Sequence, residues 1–315
     1  MTAATTAARL RRIAPIWVVL VLVLVGIVWR DPTFADPPTL LAFVKRSAPL
    51  AVLALGQLFV VISGELDLSV GALITACVVA AARLGEGDPS RTWWIILLVL
   101  GFGVVVGVVN GLITTMLRVP SFITTLGMML VLGGAVFLWT GGSPTGALAE
   151  NFRQYGREDI GPVPYAVVIL LAIAVAAYFL LHRSRFGHQV FATGGGTRAA
   201  ELSGVAVRRI RVTSFVLSGL LAAVSAILLA GFAGLSANAG QGYDFQSISA
   251  VVLGGAVLGG GRGGIGAALG GAFALQAMFT LLNLLGMAAP LRDTVQGLLI
   301  VAAVAFAAYR LRSNR

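Results

Sequence analysis

Runs of apolar residues long enough to cross a lipid bilayer follow one another along almost the whole of this 315-residue chain. A transmembrane helix needs about 20 mostly apolar residues, because the hydrocarbon core is about 30 Å thick and a helix rises about 1.5 Å per residue. Hydrophobic residues make up 58% of the sequence, charged residues 11%, and the mean hydropathy is +0.96. Since backbone groups in lipid must be hydrogen-bonded internally, the chain is predicted to be an all-α polytopic membrane protein.

About ten transmembrane helices are predicted from the positions of these runs. The predicted spans are residues 16–29, 40–62, 68–82, 93–117, 122–139, 165–181, 213–233, 246–260, 265–286 and 292–309. The first run is not followed by a small-residue cleavage site, which favours an uncleaved helix over a signal peptide. Ten spans place both termini on the same side of the membrane.

Basic residues decide the predicted orientation. With a cytoplasmic N-terminus, fourteen arginines fall on the cytoplasmic side, and the other eight basic residues face outward with nine acids. Residues 182–211 alone contain six arginines and one acid, Glu201. Because cytoplasmic loops are enriched in Lys and Arg, both termini are predicted to be cytoplasmic. The net charge of +10 therefore reflects membrane topology, and binding to nucleic acid is rejected.

Several kinds of chemistry find no support in the sequence. The P-loop signature needs a Gly-Lys pair, but the single lysine, Lys45, follows Val44, so ATP hydrolysis by a P-loop is excluded. The single cysteine, Cys77, excludes an intrachain disulfide and a cysteine-based zinc site. Residues 261–266 match the spacing G-x-G-x-x-G, yet they lie between two predicted spans and are interpreted as a tight turn. No catalytic residue and no metal site are predicted.

Two carboxylates, Glu65 and Asp67, lie in an otherwise apolar stretch. A carboxylate at the centre of a bilayer costs about 2.5–3.5 kcal/mol on insertion scales, so its presence needs a reason. Gly64 and Gly71 flank the pair and would permit a broken helix. Two interpretations stay open: residues 63–68 form a polar turn at the membrane face, or they form a broken helix beside a water-filled path.

Other polar residues inside the apolar runs have less specific meanings. Asn110 lies inside a predicted span, where an amide side chain more often hydrogen-bonds a neighbouring helix than a substrate. Phe122 and Thr124 stand in the first turn of the predicted fifth span. Asp244 lies at an outward boundary, where a helix-capping role is at least as good an explanation as a role in transport. Two pairs of glycines with the spacing of helix-packing motifs are 255/259 and 266/270.

The basic residues 182–212 are predicted to form a cytoplasmic loop within a single transmembrane domain, residues 1–315. Thr197 is predicted to cap a short helix over residues 198–203, and Gly204 to end it. A short helix outside the membrane suits docking to another protein. The alternative is a basic connector held by anionic lipid headgroups.

Four blocks of sequence resemble the permease subunit of ribose-type ATP-binding-cassette (ABC) importers, in the branched-chain amino acid/ribose permease superfamily. The blocks are residues 64–71 (GELDLSVG), 120–127 (PSFITTLG), 186–204, and 243–255 continuing to 260–263. They extend, in order, through nearly the whole chain. The sequence departs from the family pattern at Glu65, Gly196 and Ala256, where glycine, asparagine and threonine are frequent.

The resemblance implies a ten-helix permease that pairs with a second copy or a paralogue in the bacterial cytoplasmic (inner) membrane. Separate cytoplasmic ATPase subunits would carry ATP and Mg, and an extracytoplasmic binding protein would deliver the solute. The chain itself would bind no cofactor and would not be an enzyme. A monosaccharide is the implied solute, while related permeases carry branched-chain amino acids, nucleosides or autoinducers.

Two sets of site residues follow from the motifs and the resemblance. The predicted translocation path or gate comprises Gly64, Glu65, Asp67, Ser69, Gly71, Asn110, Phe122 and Thr124. The residues implied to couple to the ATPase are Gly195, Gly196, Ala199, Ala200, Glu201, Leu202, Ser203 and Gly204. An alternative function is an ion-coupled secondary transporter that uses Glu65 and Asp67 as a proton or sodium site.

Overall fold

The computed structural model describes residues 15–288 together with residues 291, 294, 295, 297 and 298. Almost all regular structure in these residues is helical, as the apolar runs predict. The helices are α1 (Pro15–Arg30), α2 (Pro37–Ile62), α3 (Val70–Gly85), α4 (Thr92–Met116), α5 (Ser121–Thr140), α6 (Glu150–Arg157), α7 (Tyr165–His182), α8 (Arg185–Gly195), α9 (Thr197–Leu202), α10 (Val207–Ala233), α11 (Tyr243–Leu253) and α12 (Ile265–Leu284). A two-residue hairpin pairs β1 (Asp159–Ile160) with β2 (Val163–Pro164), and 3-10 turns cover Pro32–Ala35 and Pro89–Arg91.

Six helices in the described part of the chain are long and apolar enough to cross a membrane. They are α2, α4 with its preceding turn, α5, α7, α10 and α12. Helices α1 and α3 are apolar but have only 16 residues each. The predicted spans one to seven and nine match helices closely. Of the tenth predicted span, 292–309, only residues 294, 295, 297 and 298 are described, all of them helical, and both predicted cytoplasmic termini lie outside the described residues.

The predicted eighth span, residues 246–260, is wrong in its extent because α11 ends at Leu253. The amide of Ala256 donates to the carbonyl of Val251 at 3.1 Å, and Gly255 has a φ of +90°. Glycine adopts this left-handed conformation without steric cost, so the helix is closed by a turn. Consequently the 255/259 glycine pair does not pack two helices together.

Helix α2 ends in the same kind of turn. The amide of Glu65 donates to the carbonyl of Val60 at 3.1 Å, and Gly64 has a φ of +89°. In both places the chain then continues without regular structure before the next helix begins. The fold therefore contains two apolar helices that are broken by equivalent glycine turns.

The glycine turn after α2, the end of α8 and the glycines at 260 and 261, which follow the second turn, come into backbone contact. The carbonyl of Ile62 accepts a hydrogen bond from the amide of Gly261 at 2.9 Å. A Cβ atom on Gly260 would lie 2.8 Å from the Cα of Gly194 and 2.9 Å from the Cα of Gly64. A Cβ atom on Gly194 would overlap the Ile62 carbonyl oxygen. The three chain segments can approach this closely because glycines 64, 194 and 260 have no side chains.

A stripe of glycines brings α4 and α10 together. Gly103, Gly107 and Gly111 are four residues apart and so share one face of α4. A Cβ atom on Gly107 would lie 2.8 Å from the Cα of Val216, and one on Gly103 would overlap the carbonyl of Gly219. Small residues allow the close helix approach that holds membrane proteins together. This stripe, rather than the 255/259 pair, forms the tight packing.

Two helices lie in segments that the sequence marks only as loops. Helix α6 packs on α10, where a Cβ atom on Gly231 would lie 2.6 Å from the amide nitrogen of Gly156. Helix α8 precedes α9 and lies at the opposite end of the bundle. We call these two ends the α6 end and the α9 end.

The predicted cap of the short helix is wrong by one residue. Gly196 occupies the capping position without a side chain, and Thr197 is the first residue of α9. The Thr197 hydroxyl instead accepts a hydrogen bond from Arg211 of α10.

We predict that Gly107→Ala lowers the free energy of unfolding by about 1–3 kcal/mol, the usual cost of overpacking. The added methyl group has to displace the α10 backbone. Thermal denaturation of the purified protein in detergent measures the effect. The matched control is Gly101→Ala on the same helix, where a Cβ atom meets nothing within 4 Å. Equal destabilisation by both substitutions would contradict the packing role of the stripe.

Candidate functional site

Residues 65–69, which we call the strap, connect α2 to α3 without helical structure. An unpaired backbone amide is costly in apolar surroundings. Two strap amides are paired by hydroxyl groups of α5: Leu66 donates to Ser121 Oγ and Leu68 donates to Thr125 Oγ1, both at 3.1 Å. The Ser/Thr-rich face of α5 therefore replaces the missing helical hydrogen bonds.

Asp67 fastens the other side of the strap to α10. Its carboxylate is buried, with 1% of the residue exposed. Oδ1 accepts from the Ser69 amide at 3.0 Å and the Ser69 hydroxyl at 2.6 Å, and Oδ2 accepts from Ser218 Oγ at 2.9 Å. Asn110 Nδ2 donates to Ser69 Oγ at 2.9 Å. These hydrogen bonds replace the water that a buried carboxylate loses.

The strap lies inside the bundle. Ser218 is eleven residues into α10, about 16 Å from its first residue, because a helix rises about 1.5 Å per residue. Asn110 is six residues before the end of α4, about 9 Å along its axis. Asp67 contacts this network, so it lies well inward of the α9 end. This geometry is that of a broken helix and not of a turn confined to the bundle surface.

Glu65 lies nearer the α9 end and has a partner of its own. Its Oε1 is 2.9 Å from Nε of Arg211, with 11% of the Glu65 side chain and 24% of the Arg211 side chain exposed. The charge of Glu65 is therefore balanced by α10. The ion pair with Arg211 accounts for the sheltered charge of Glu65 without a transported cation.

A cavity of about 610 Å³ lies on one side of the strap, between α3, α5 and residues 237–244. Its polar lining residues are Thr75, Thr140, Asn238, Gln241 and Asp244. Gly71 also lines it, and a Cβ atom there would lie 2.7 Å from the carbonyl oxygen of Gly240. We call this space the larger cavity.

A second cavity, of about 360 Å³, lies at the α9 end. Its charged lining residues are Glu65, Arg118, Glu201, Arg208 and Arg211. Three arginines against two glutamates leave it with an excess of positive charge. We call this space the charged cavity.

An apolar layer lies between the two cavities. It consists of Leu66, Leu68, Leu126, Ile248, Val252 and Leu258. Asp244 of the larger cavity is one helical turn from Ile248, and Glu65 of the charged cavity adjoins Leu66. The strap thus contributes Glu65 to the charged cavity and two leucines to the layer, and Gly71, two residues after the strap, lines the larger cavity.

The structure brings most of the predicted path residues together. The strap contains Glu65, Asp67 and Ser69. Gly64 directly precedes it, Gly71 lies two residues after it, and Asn110 donates a hydrogen bond to Ser69. Phe122 does not join them: it is 51% exposed, because it neighbours Ser121 and points about 100° away around α5. Thr124 is buried but lines neither cavity.

The eight residues predicted to couple to an ATPase form one short element. Gly195 ends α8, Gly196 joins it to α9, and α9 contains Ala199, Ala200, Glu201 and Leu202, followed by a turn at Ser203 and Gly204. Ala200 is 4% exposed and packs inward, whereas Leu202 is 78% exposed. Helix α9 therefore has a buried side that includes Ala200 and an exposed side that includes Leu202.

Several residues of the site are missing from the sequence-based prediction. Ser218 is separated from Asp67 by 151 positions, and a serine in an apolar helix gives no local signal. Arg211 was visible only as a loop charge. Asp244, for which the sequence leaves a capping role and a transport role open, forms part of the wall of the larger cavity.

Comparison with known proteins identifies relatives over most of the chain. The family described as "Branched-chain amino acid transport system / permease component" matches residues 39–304. The ribose import permease protein RbsC of Escherichia coli strain K12 is 35% identical over 289 residues, 90% of each chain. The autoinducer 2 import system permease protein LsrC of Enterobacter sp. strain 638 is 33% identical over 276 residues, 86% of this chain and 79% of the relative.

A third relative is a probable ABC transporter permease protein, YphD of Escherichia coli strain K12. It is 35% identical over 277 residues, covering 87% of this chain and 82% of the relative. No solved structure matches the chain.

We predict that Asp67→Ala lowers the free energy of unfolding by about 3 kcal/mol or more. The substitution leaves three buried donors without an acceptor, and each orphaned group costs about 1–3 kcal/mol. Thermal denaturation in detergent measures the loss.

The matched control is Asp88→Ala. Asp88 accepts the same two kinds of hydrogen bond, from the Ser90 amide at 2.9 Å and hydroxyl at 2.7 Å, but in an exposed turn. It should lower stability by only about 1 kcal/mol, the usual cost of losing an exposed cap, because water can replace the lost acceptor. A small loss for Asp67→Ala would show that the buried network does not hold the bundle together.

Proposed function

This chain belongs to the family of permease components of branched-chain amino acid transport systems, and on that premise we propose that it carries a small polar solute, most simply a monosaccharide. It is the transport subunit of an ABC importer in the inner membrane and not an enzyme. Its relatives are named for the import of ribose and autoinducer 2. The identity of the solute for this chain is part of the proposal.

The observation that carries the proposal is the pair of cavities separated by the apolar layer. A solute released into the larger cavity reaches the charged cavity when the strap, α5 and α11 move apart. Such a barrier closes and opens in a two-state change driven by partners that bind the two states differently. Gly64, Glu65, Asp67, Ser69, Gly71 and Asn110 then support the gate.

The lining of the larger cavity suits a neutral, hydroxyl-rich solute. Threonine hydroxyls, the Asn238 and Gln241 amides and the Asp244 carboxylate offer both donors and acceptors. The apolar ring of Phe137 lines the same space. Its volume of about 610 Å³ lies within the range of about 300–1,000 Å³ that is usual for small-molecule sites.

The proposed topology is a single permease domain of ten spans with both termini in the cytoplasm. The α9 end is assigned to the cytoplasmic side because the loop of residues 182–212 contains six arginines. The larger cavity then faces the compartment of the binding protein. The permease pairs with a second copy or paralogue to complete the importer.

Helix α9 is proposed as the element that docks on the ATPase. Glu201 and Leu202 are both exposed there, and the helix is held between two turns. ATP and Mg bind to the partner subunits, and this chain needs no cofactor of its own. Gly195, Gly196, Ala199, Ala200, Ser203 and Gly204 shape this surface.

We predict that Glu201→Arg abolishes ATP-driven uptake without preventing insertion into the membrane. Reversing a charge at a docking surface opposes the partner and typically costs several kcal/mol. The assay is uptake of labelled ribose by proteoliposomes that contain the permease, its ATPase and its binding protein. Glu201→Gln, which keeps the shape of the side chain, should retain most of the uptake.

Wild-type uptake that survives removal of ATP would contradict the proposed function. Undiminished uptake by Glu201→Arg would contradict only the docking role of α9. Insertion is checked separately by recovery of each variant in the membrane fraction, and folding by size-exclusion chromatography of the purified variants.

We predict opposite labelling of two introduced cysteines by a membrane-impermeant maleimide. Asn238→Cys in the larger cavity should react from the outer side, and Val119→Cys in the charged cavity only from the cytoplasmic side. Both are made in a Cys77→Ser background, since Cys77 is the single cysteine and is 1% exposed. Right-side-out and inverted vesicles provide the two orientations. Labelling of both positions from one side would contradict the proposed path.

A further inference from the structure

One guanidinium group joins the proposed docking helix to the strap. Arg211 Nε is 2.9 Å from the Glu65 carboxylate, and Arg211 Nη2 donates to the Thr197 hydroxyl at 3.1 Å. Thr197 is the first residue of α9, and Glu65 is the first residue of the strap. Arg211 itself lies near the start of α10.

The position of this ion pair distinguishes it from the others in the described part of the chain. The remaining ion pairs are Lys45–Asp159, Arg91–Glu86, Arg91–Asp88 and Arg157–Glu150. Each of them includes at least one side chain that is more than two-fifths exposed. Water and salt screen such pairs, whereas the sheltered Glu65–Arg211 pair is screened less.

Glu65 is connected directly to the barrier between the cavities. Leu66 and Leu68 of the strap belong to the apolar layer. Asp67, between them, holds α10 through Ser218, so the strap has two attachment points on α10. Because Glu65 and Leu66 are neighbours in the chain, a displacement of Glu65 also displaces Leu66 of the apolar layer.

We propose that Arg211 and Glu65 are positioning residues that transmit movement of α9 to the apolar layer. The inference rests on the proposed function, because it takes α9 as the ATPase-docking helix. When the ATPase moves α9, Thr197 moves with it and draws the Arg211 guanidinium relative to Glu65. The strap then carries Leu66 and Leu68 into or out of the barrier.

A purely structural ion pair would behave differently from a transmitting one. A structural pair changes the amount and stability of the folded complex. A transmitting pair changes the number of solute molecules carried per ATP hydrolysed. The ratio of uptake to hydrolysis therefore separates the two roles.

The test measures this ratio in proteoliposomes that contain the complete complex, with labelled ribose as the probe. The variants are Glu65→Gln, Arg211→Gln, the double variant, and the charge exchange Glu65→Arg with Arg211→Glu. Each single variant should lower the ratio by about fivefold or more, the lower end of ordinary coupling between sites. The double variant should be no worse than either single variant, because both remove one interaction.

The charge exchange should restore part of the ratio, since it re-forms an ion pair with the opposite polarity. The matched control is Asp159→Asn, which removes the Lys45–Asp159 ion pair at the α6 end and should leave the ratio unchanged. Thr197→Val tests the second arm of Arg211 and should lower the ratio less than Arg211→Gln does.

Three results would overturn the inference. One is an unchanged ratio in both single variants, and another is additive losses in the double variant. The third is a loss confined to protein yield or melting temperature, including a charge exchange that fails to fold. If the wild-type complex shows no ATP-driven uptake, the proposed function fails instead, and the two failures are thereby distinguished.

Discussion

A carboxylate that is buried among apolar helices has to be hydrogen-bonded by its neighbours, and the bundle is arranged around this requirement at Asp67. Ser218 reaches it from α10, which approaches α4 closely at glycines 103, 107 and 111 and packs against Gly56 of α2 at Ser218 itself. Asn110, on α4, supports Ser69 from the same interface. The glycine packing and the hydrogen bonds around Asp67 therefore involve the same two helices, α4 and α10.

The two broken helices show what the charged residues add. The turns after α2 and α11 have the same hydrogen bonds and nearly the same φ at Gly64 and Gly255. After the second turn, however, apolar residues 256–258 occupy the positions that correspond to residues 65–67. The same backbone turn thus occurs once with carboxylates and once without them. The charged version is the one that is fastened to α10 and lines the charged cavity.

Most helices were predictable because a run of bilayer length has few alternatives to a helix. The error at residues 246–260 arose because Val257 and Leu258 keep the hydropathy high after Leu253, and hydropathy reports burial rather than helix. Glu65 and Asp67 were recognisable because charges in an apolar stretch are a local signal. Ser218 and Arg211 were not, since their importance depends on contacts with residues far away in the sequence. Phe122 lies apart from the other predicted path residues because neighbours on a helix point in different directions.

The hydrogen bonds between the strap and α5 have a consequence for how the path opens. The amides of Leu66 and Leu68 depend on side-chain hydroxyls and not on a second backbone. If α5 moved away in dry surroundings, both amides would be stranded at a cost of several kcal/mol, but water can take over their hydrogen bonds. Water therefore has to reach the strap amides before α5 can move away from the strap. In the proposed movement, entry of water into the apolar layer would therefore be a condition for opening.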